Sequence, residues 1–185
     1  MIDLFETARQ LQVFCDGEGW RSCFIRGIAV QRWGEPRVTR DVNLTLLADF
    51  GSEDRFIVPL LAAYPARIED AREFARRYRV LLLRTPSGVG ISVSLGGLPF
   101  EESVVSRATF FSFAPGLDVR TCSAEDLVVL KLFASRPPDI RDAEGVVVRH
   151  KDQLDWSYIE NHLRPLVEVK GEPQILDTLA RLRGL

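Results

Sequence analysis

Phe24-Ile25-Arg26-Gly27-Ile28-Ala29-Val30-Gln31-Arg32-Trp33-Gly34-Glu35-Pro36-Arg37-Val38-Thr39-Arg40-Asp41-Val42-Asn43-Leu44-Thr45-Leu46-Leu47 decides how this chain is read. Phe24 and Ile25 are apolar and suited to a strand, and Gly27 permits a tight turn. Ile28-Ala29-Val30 is a short apolar run able to start a helix before Gly34 and Pro36 break it. Beyond the loop, Val42, Leu44 and Leu46 alternate with Asp41, Asn43 and Thr45. Side chains two apart on a strand point to the same side, so Asp41 and Asn43 share a face with Cα atoms roughly 6.6 Å apart, while the apolar residues turn to a core. A polar pair on a strand with a buried face calls for a reason, and function is the first to consider.

Working outward, Leu4, Ala8, Leu11 and Cys15 recur at helical spacing and Asp16-Gly17-Glu18-Gly19 supplies a stop, which predicts an amphipathic helix over 3–16. Residues 54–64 predict a helix with a kink at Pro59, and 70–78 a short arginine-rich one. Val80–Arg84 and Gly90–Leu95 form a hairpin around Thr85-Pro86-Ser87-Gly88-Val89, so Ser87–Gly90 is a turn and not a phosphate loop. Leu98-Pro99-Phe100-Glu101 turns into a short helix, and 109–113 and 117–120 are later strands. Ser123-Ala124-Glu125-Asp126 is a capping box with aspartate in place of the usual glutamate, opening a helix over 127–134 that Pro137-Pro138 ends. Helices over 139–150, 156–167 and 173–182 follow.

The chain has 185 residues, 46% of them hydrophobic and 27% charged, a composition ordinary for a soluble globular protein. A net charge of −2 gives no bulk drive toward nucleic acid or an anionic membrane. Cys15, Cys23 and Cys122 have no metal-ligand spacing, and their odd number argues against a disulfide framework, so a reducing cytoplasm is the expected compartment. The N-terminus lacks a basic leader pattern and no apolar run is long enough to span a bilayer, so no targeting or membrane segment is expected.

The organising stretch resembles the opening motif of the nucleotidyltransferase fold of the DNA polymerase β superfamily, in particular the AbiEii-type toxin nucleotidyltransferases of bacteria. Those proteins carry Gly-Gly or Gly-Ser after the first strand and then a Gly-x-x-Arg-x-Thr-x-Asp-x-Asp run. This chain has Arg26-Gly27, then Gly34-Glu35-Pro36-Arg37-Val38-Thr39-Arg40-Asp41-Val42-Asn43. The likeness continues through Ser123-Ala124-Glu125-Asp126-Leu127, Lys131, Ala134, Arg136, Asp139 and Asp142, and covers residues 24 to about 145. It implies an α/β (α+β) architecture: a mixed twisted sheet with a C-terminal helical bundle. Residues 1–122 would form the nucleotidyltransferase-like core, and 123–185 a helical region packed on it.

The resemblance also implies a chemistry. Such enzymes move a nucleoside monophosphate from an NTP to an acceptor, with Mg2+ ions held by carboxylates, two from the Asp-x-Asp strand and a third before the Leu-Pro-Phe-Glu turn. In this chain those positions fall on Asp41, Asn43 and Ser92. Each lost carboxylate removes an attraction of about several kcal/mol at an effective dielectric near 20, so a weakly held Mg2+ at Asp41 is expected. Arg26 replaces the first glycine of the phosphate turn beside Gly27: it faces solvent at a strand end, or it grips phosphate in place of the missing metal charge. Lys131 is a snorkelling lysine or a phosphate contact. Arg37, two before Thr39, is a loop residue or a substrate clamp. Asp139 and Asp142 are a helix start and solvated face, or line the site. Glu101 is a stray carboxylate near Ser92 or a helix start. Arg72, Arg76, Arg77 and Arg79 form a solvated basic face or an RNA groove, and His150 and His162 have no nucleophile at a suggestive spacing.

Two functional readings stay open. One is a nucleotidyltransferase-like protein with a degraded metal site, catalytically weak or silent, that binds a nucleotide or a partner protein. The other is an active Mg2+-dependent enzyme using NTP to modify RNA or protein, as in toxin–antitoxin pairs, with a cognate partner protein.

Overall fold

The computed structural model describes residues 2–185; Met1, where the expected core begins, lies outside them. Among the described residues six strands form one mixed sheet in the order β3-β4-β2-β1-β6-β5. They are β1 (Ser22–Phe24), β2 (Asp41–Leu47), β3 (Val80–Arg84), β4 (Gly90–Gly96), β5 (Thr109–Ser112) and β6 (Asp118–Thr121). Among the described residues the α-helices are α1 (Ile2–Gly17), α2 (Gly27–Trp33), α3 (Asp54–Ala63), α4 (Ala71–Tyr78), α5 (Pro99–Ser106), α6 (Ala124–Ala134), α7 (Pro137–His150), α8 (Trp156–Lys170) and α9 (Gln174–Arg183). None of them is long and apolar enough to cross a membrane. Contacts divide the chain into two compact units, Met1–Ile28 with Val38–Cys122, and Ala29–Arg37 with Ser123–Leu185.

The first unit is built around β2, which pairs antiparallel with β1 and parallel with β4. Val42, Leu44 and Leu46 are fully buried, as are Ile91 and Val93 of β4 and Leu81 and Leu83 of β3, so the three strands turn one apolar face the same way. Leu4 and Leu11 of α1, Ile57 and Leu60 of α3 and Ala75 of α4 complete that core. The opposite face is covered over part of its length. Cys23, in register with Thr45, donates its thiol hydrogen to the Val104 carbonyl of α5 (3.9 Å). Toward the start of β2 that cover ends, and Asp41 is exposed.

Arg79 closes α4 in the left-handed region at φ 55°. Its guanidinium donates to the carbonyls of Leu95 (2.8 Å) and Ala48 (2.6 Å) and pairs with Glu53, which ties three strand and helix ends together. Arg72 and Arg76 both hydrogen-bond Asp54 and hold its carboxyl well below the usual carboxylate range. Of the four arginines read as one basic face, three are therefore engaged within the unit.

In the second unit α6 is apolar around most of its circumference, burying Leu127, Val128, Val129 and Leu132, while α7, α8 and α9 each add one apolar stripe. Such an all-round apolar helix belongs at the centre of a bundle. The Ser123 hydroxyl accepts from the Asp126 amide (3.1 Å), and the Asp126 carboxylate accepts from the Tyr158 hydroxyl (2.6 Å). One expectation changes. What ends α6 is Ser135, left-handed at φ 59°, and Pro137-Pro138 instead begin α7. Proline suits the first helical position because the amide it lacks would have no partner there.

Leu44 lies fully buried on a central strand, so Leu44→Ala should leave a cavity and cost about 3 kcal/mol. Urea unfolding followed by circular dichroism checks it: a lowered midpoint at unchanged slope is the expected result.

Candidate functional site

The site is a consequence of register. β2 and β4 run parallel with Asp41 opposite Gly90 and Asn43 opposite Ser92, and β3 continues both rows with Arg84 opposite Gly90 and Leu82 opposite Ser92. Since the intervening residues face the core, these side chains stand on the other face. Asp41, Asn43 and Ser92 are thus brought together at the uncovered end of the sheet. The Asn43 amide donates to the Asp41 carbonyl (3.3 Å). Gly90 leaves room for the carboxylate, since a Cβ on it would stand 2.0 Å from Asp41 Oδ1 and push it aside.

A fourth group joins them that sequence reasoning missed. Past α3 the chain adds a short edge beside β3: Ala66 bridges Leu83, the Arg67 amide donates to the Leu82 carbonyl (3.0 Å), and the Arg84 amide to the Pro65 carbonyl (2.9 Å). Arg67 therefore extends the row Leu82, Ser92, Asn43. Its guanidinium Nη2 donates to Ser92 Oγ (2.7 Å), and Nη1 lies 3.8 Å from Asp41 Oδ1.

Arg26 and Gly27 form the turn from β1 into α2. Arg26 is exposed and left-handed at φ 53°, a conformation glycine adopts more easily. Gly27 is packed so closely that an added Cβ would stand 2.3 Å from Thr39 Oγ1. The Ile25 amide donates to the Asn43 carbonyl (3.0 Å), which sets this turn beside the start of β2.

These residues do not fit a divalent cation. Mg2+ takes an octahedron of oxygens and draws its affinity from carboxylate charge. Here the donors are one carboxylate, one amide and one hydroxyl, and the hydroxyl and carboxylate face a guanidinium. A doubly charged ion about 4 Å from that guanidinium would be repelled by on the order of 8 kcal/mol at an effective dielectric near 20. Among the described residues no group of three or more His, Cys, Asp or Glu side chains is arranged to hold a metal. Glu101 is not a spare ligand, because its carboxylate accepts from the Gly97 (2.8 Å) and Leu98 (3.0 Å) amides at the start of α5.

The other candidates meet in the second unit. Lys131 Nζ lies 2.7 Å from Asp139 Oδ1 and 2.7 Å from Asp142 Oδ2. Arg37 grips Asp142 with two bonds, Nε to Oδ1 (2.7 Å) and Nη2 to Oδ2 (2.8 Å), and Arg136 bonds Asp139. Lys131, Asp139 and Asp142 are all buried, which corrects both the snorkelling lysine and the solvated aspartate face. Burial opposes ionisation of both carboxyls, yet the hydrogen bonds and charges of Arg37, Arg136 and Lys131 outweigh it and hold them below the usual carboxylate range.

A lysine held by two buried carboxylates has a clear stability consequence. Lys131→Met leaves both carboxylates short of a buried partner and should cost about 3 kcal/mol in chemical unfolding. Because the folded pKa values of Asp139 and Asp142 are depressed, their contribution is complete above the ordinary carboxylate pKa of about 4 and is lost as pH falls through the folded values. Unfolding free energy measured from pH 6 down to pH 2 should fall on acidification, and less steeply in Lys131→Met.

No protein-family model matches the chain, and no curated protein matches it. Solved structures do. An antigenic nucleotidyltransferase-like protein from Paracoccidioides brasiliensis aligns over 96% of this chain and 92% of its own, with a TM-score of 0.54 and 18% identity. The antibiotic-resistance factor ANT(2'')-Ia aligns over 97% and 89%, with a TM-score of 0.50 and 14% identity. At such identities the likeness is one of architecture, and the chain has a nucleotidyltransferase-like fold.

Proposed function

We propose that this is a nucleotidyltransferase-like protein whose metal-holding set is degraded, catalytically weak or silent, and that it takes a nucleotide or a partner at the exposed end of β2 and β4. The observation that carries this reading is the row Arg67, Leu82, Ser92, Asn43, in which an amide and a hydroxyl stand beside a guanidinium at positions where the family resemblance implies carboxylates. Nucleotidyl transfer needs charge that neutralises the phosphates and activates the acceptor. Asp41 alone supplies too little to hold the ions that do so. Arg26, Gly27 and Thr39 flank this end and are assigned to nucleotide contact. Arg37, Lys131 and Asp142 form a charged lock within the second unit, and the Arg37 side chain is 44% exposed.

Incubation of the purified protein with labelled NTPs, Mg2+ and either total tRNA or a protein extract should give no transfer above background. Robust Mg2+-dependent labelling that Asp41→Ala abolishes would falsify the silent reading and favour an enzyme acting on RNA or protein, as in toxin–antitoxin pairs.

A further inference from the structure

We propose that Arg67 takes the place of the divalent cation and makes the exposed end of β2 and β4 a metal-independent subsite for the polyphosphate of a nucleotide. This rests on the nucleotide-binding reading given above and adds to it the group that does the binding and the condition under which it does so.

The sign of the charge is the first argument. The resemblance implies a face of carboxylates that draws in cations. Here Arg67 and Arg84 share the face with the single carboxylate of Asp41, because the exposed Arg84 lies in the row of Gly90 and Asp41 and alternates with the buried Leu83. Two guanidinium charges against one carboxylate make a face that attracts anions.

Position is the second. The main chain of Arg67 is fastened to β3 through the Leu82 carbonyl and the adjacent Ala66–Leu83 bridge, so the reach of the side chain is set by the sheet. Strands lie about 4.8 Å apart, and from its edge Arg67 spans β3 to meet β4. Ser92 Oγ then orients the guanidinium through one Nη2 hydrogen (2.7 Å), while Nη1 at 3.8 Å from Asp41 is beyond hydrogen-bonding distance. The donors that remain form the planar fork that matches two phosphate oxygens, and the side chain is 29% exposed, open to a ligand from solvent. Asp41 opposes an anion beside the fork, an opposition that Arg84 in the same row offsets.

Inorganic triphosphate and ATP, titrated by calorimetry into the full-length protein in EDTA and again in excess Mg2+, test this. Both should bind in EDTA, with no gain from Mg2+, and Arg67→Met should weaken both at least tenfold. Arg67→Gln keeps a hydrogen-bonding side chain without the charge and should lose binding alike. Because the three cysteines are buried, their protection from a thiol reagent checks that each variant is folded. Binding that appears only with Mg2+, or that survives undiminished in a folded Arg67 variant, overturns the assignment of Arg67 and leaves the nucleotide-binding reading standing. Absence of binding for both ligands under both conditions overturns the two together and turns the face over to a protein partner.

Discussion

The parallel pairing of β2 with β4 is the interaction on which the rest depends. Successive side chains of a strand point to opposite faces, and strands paired in register turn the same set toward the core. Once Val42, Leu44 and Leu46 are committed to the core beside Ile91, Val93 and Leu95, the residues between them have no choice of side. Asn43 must then stand next to Ser92, and Asp41 next to a glycine that leaves room for its carboxylate. The helices α1, α3 and α4 cover the apolar face, and α5 covers the far end of the polar one. What remains uncovered is the edge where the unusual residues gather.

The two units use the same ion types under opposite conditions. In the second, Lys131 and two aspartates are withdrawn from water, and every carboxylate oxygen among Asp139 and Asp142 has a cationic donor at hydrogen-bonding distance. Completeness is the condition for such a cluster, since a buried charge without its partner is far more costly than an exposed one. At the end of β2 the contacts are looser. Arg67 is hydrogen-bonded to a neutral hydroxyl and stands off from Asp41, both within reach of solvent. A pair so placed contributes little to stability, which leaves its charges available for a ligand.

Much of this was legible in the residues themselves. The alternation from Asp41 to Leu47 predicts a strand with two unlike faces, the hairpin from Val80 to Leu95 is marked by its turn residues, and Ser123 announces its helix through a cap the structure retains. These are short-range properties: a two-residue period, a glycine in a turn, a hydroxyl three residues before the amide it accepts. They set the architecture and put Asp41 and Asn43 on one side. The same short range misled where one residue's role depended on distant neighbours. Lys131 in an apolar run looks like a lysine reaching for water, and only the packing of α7 against α6 supplies the carboxylates that let it stay inside. Arg79 looks like one of four helix-face arginines until its left-handed backbone aims it at two strand ends. Arg67 carried no signal at all, lying in the connector between α3 and α4. Its place beside Ser92 follows from strand order. β3 has to lie at the sheet edge, and the connector has to pair with it, before a guanidinium 25 residues away can reach that hydroxyl. The sequence alone determined which residues alternate, turn and cap, because those choices are made within a few residues. Only the tertiary structure decided which charges meet, because strand order and helix packing bring together groups that nothing in the local chain connects.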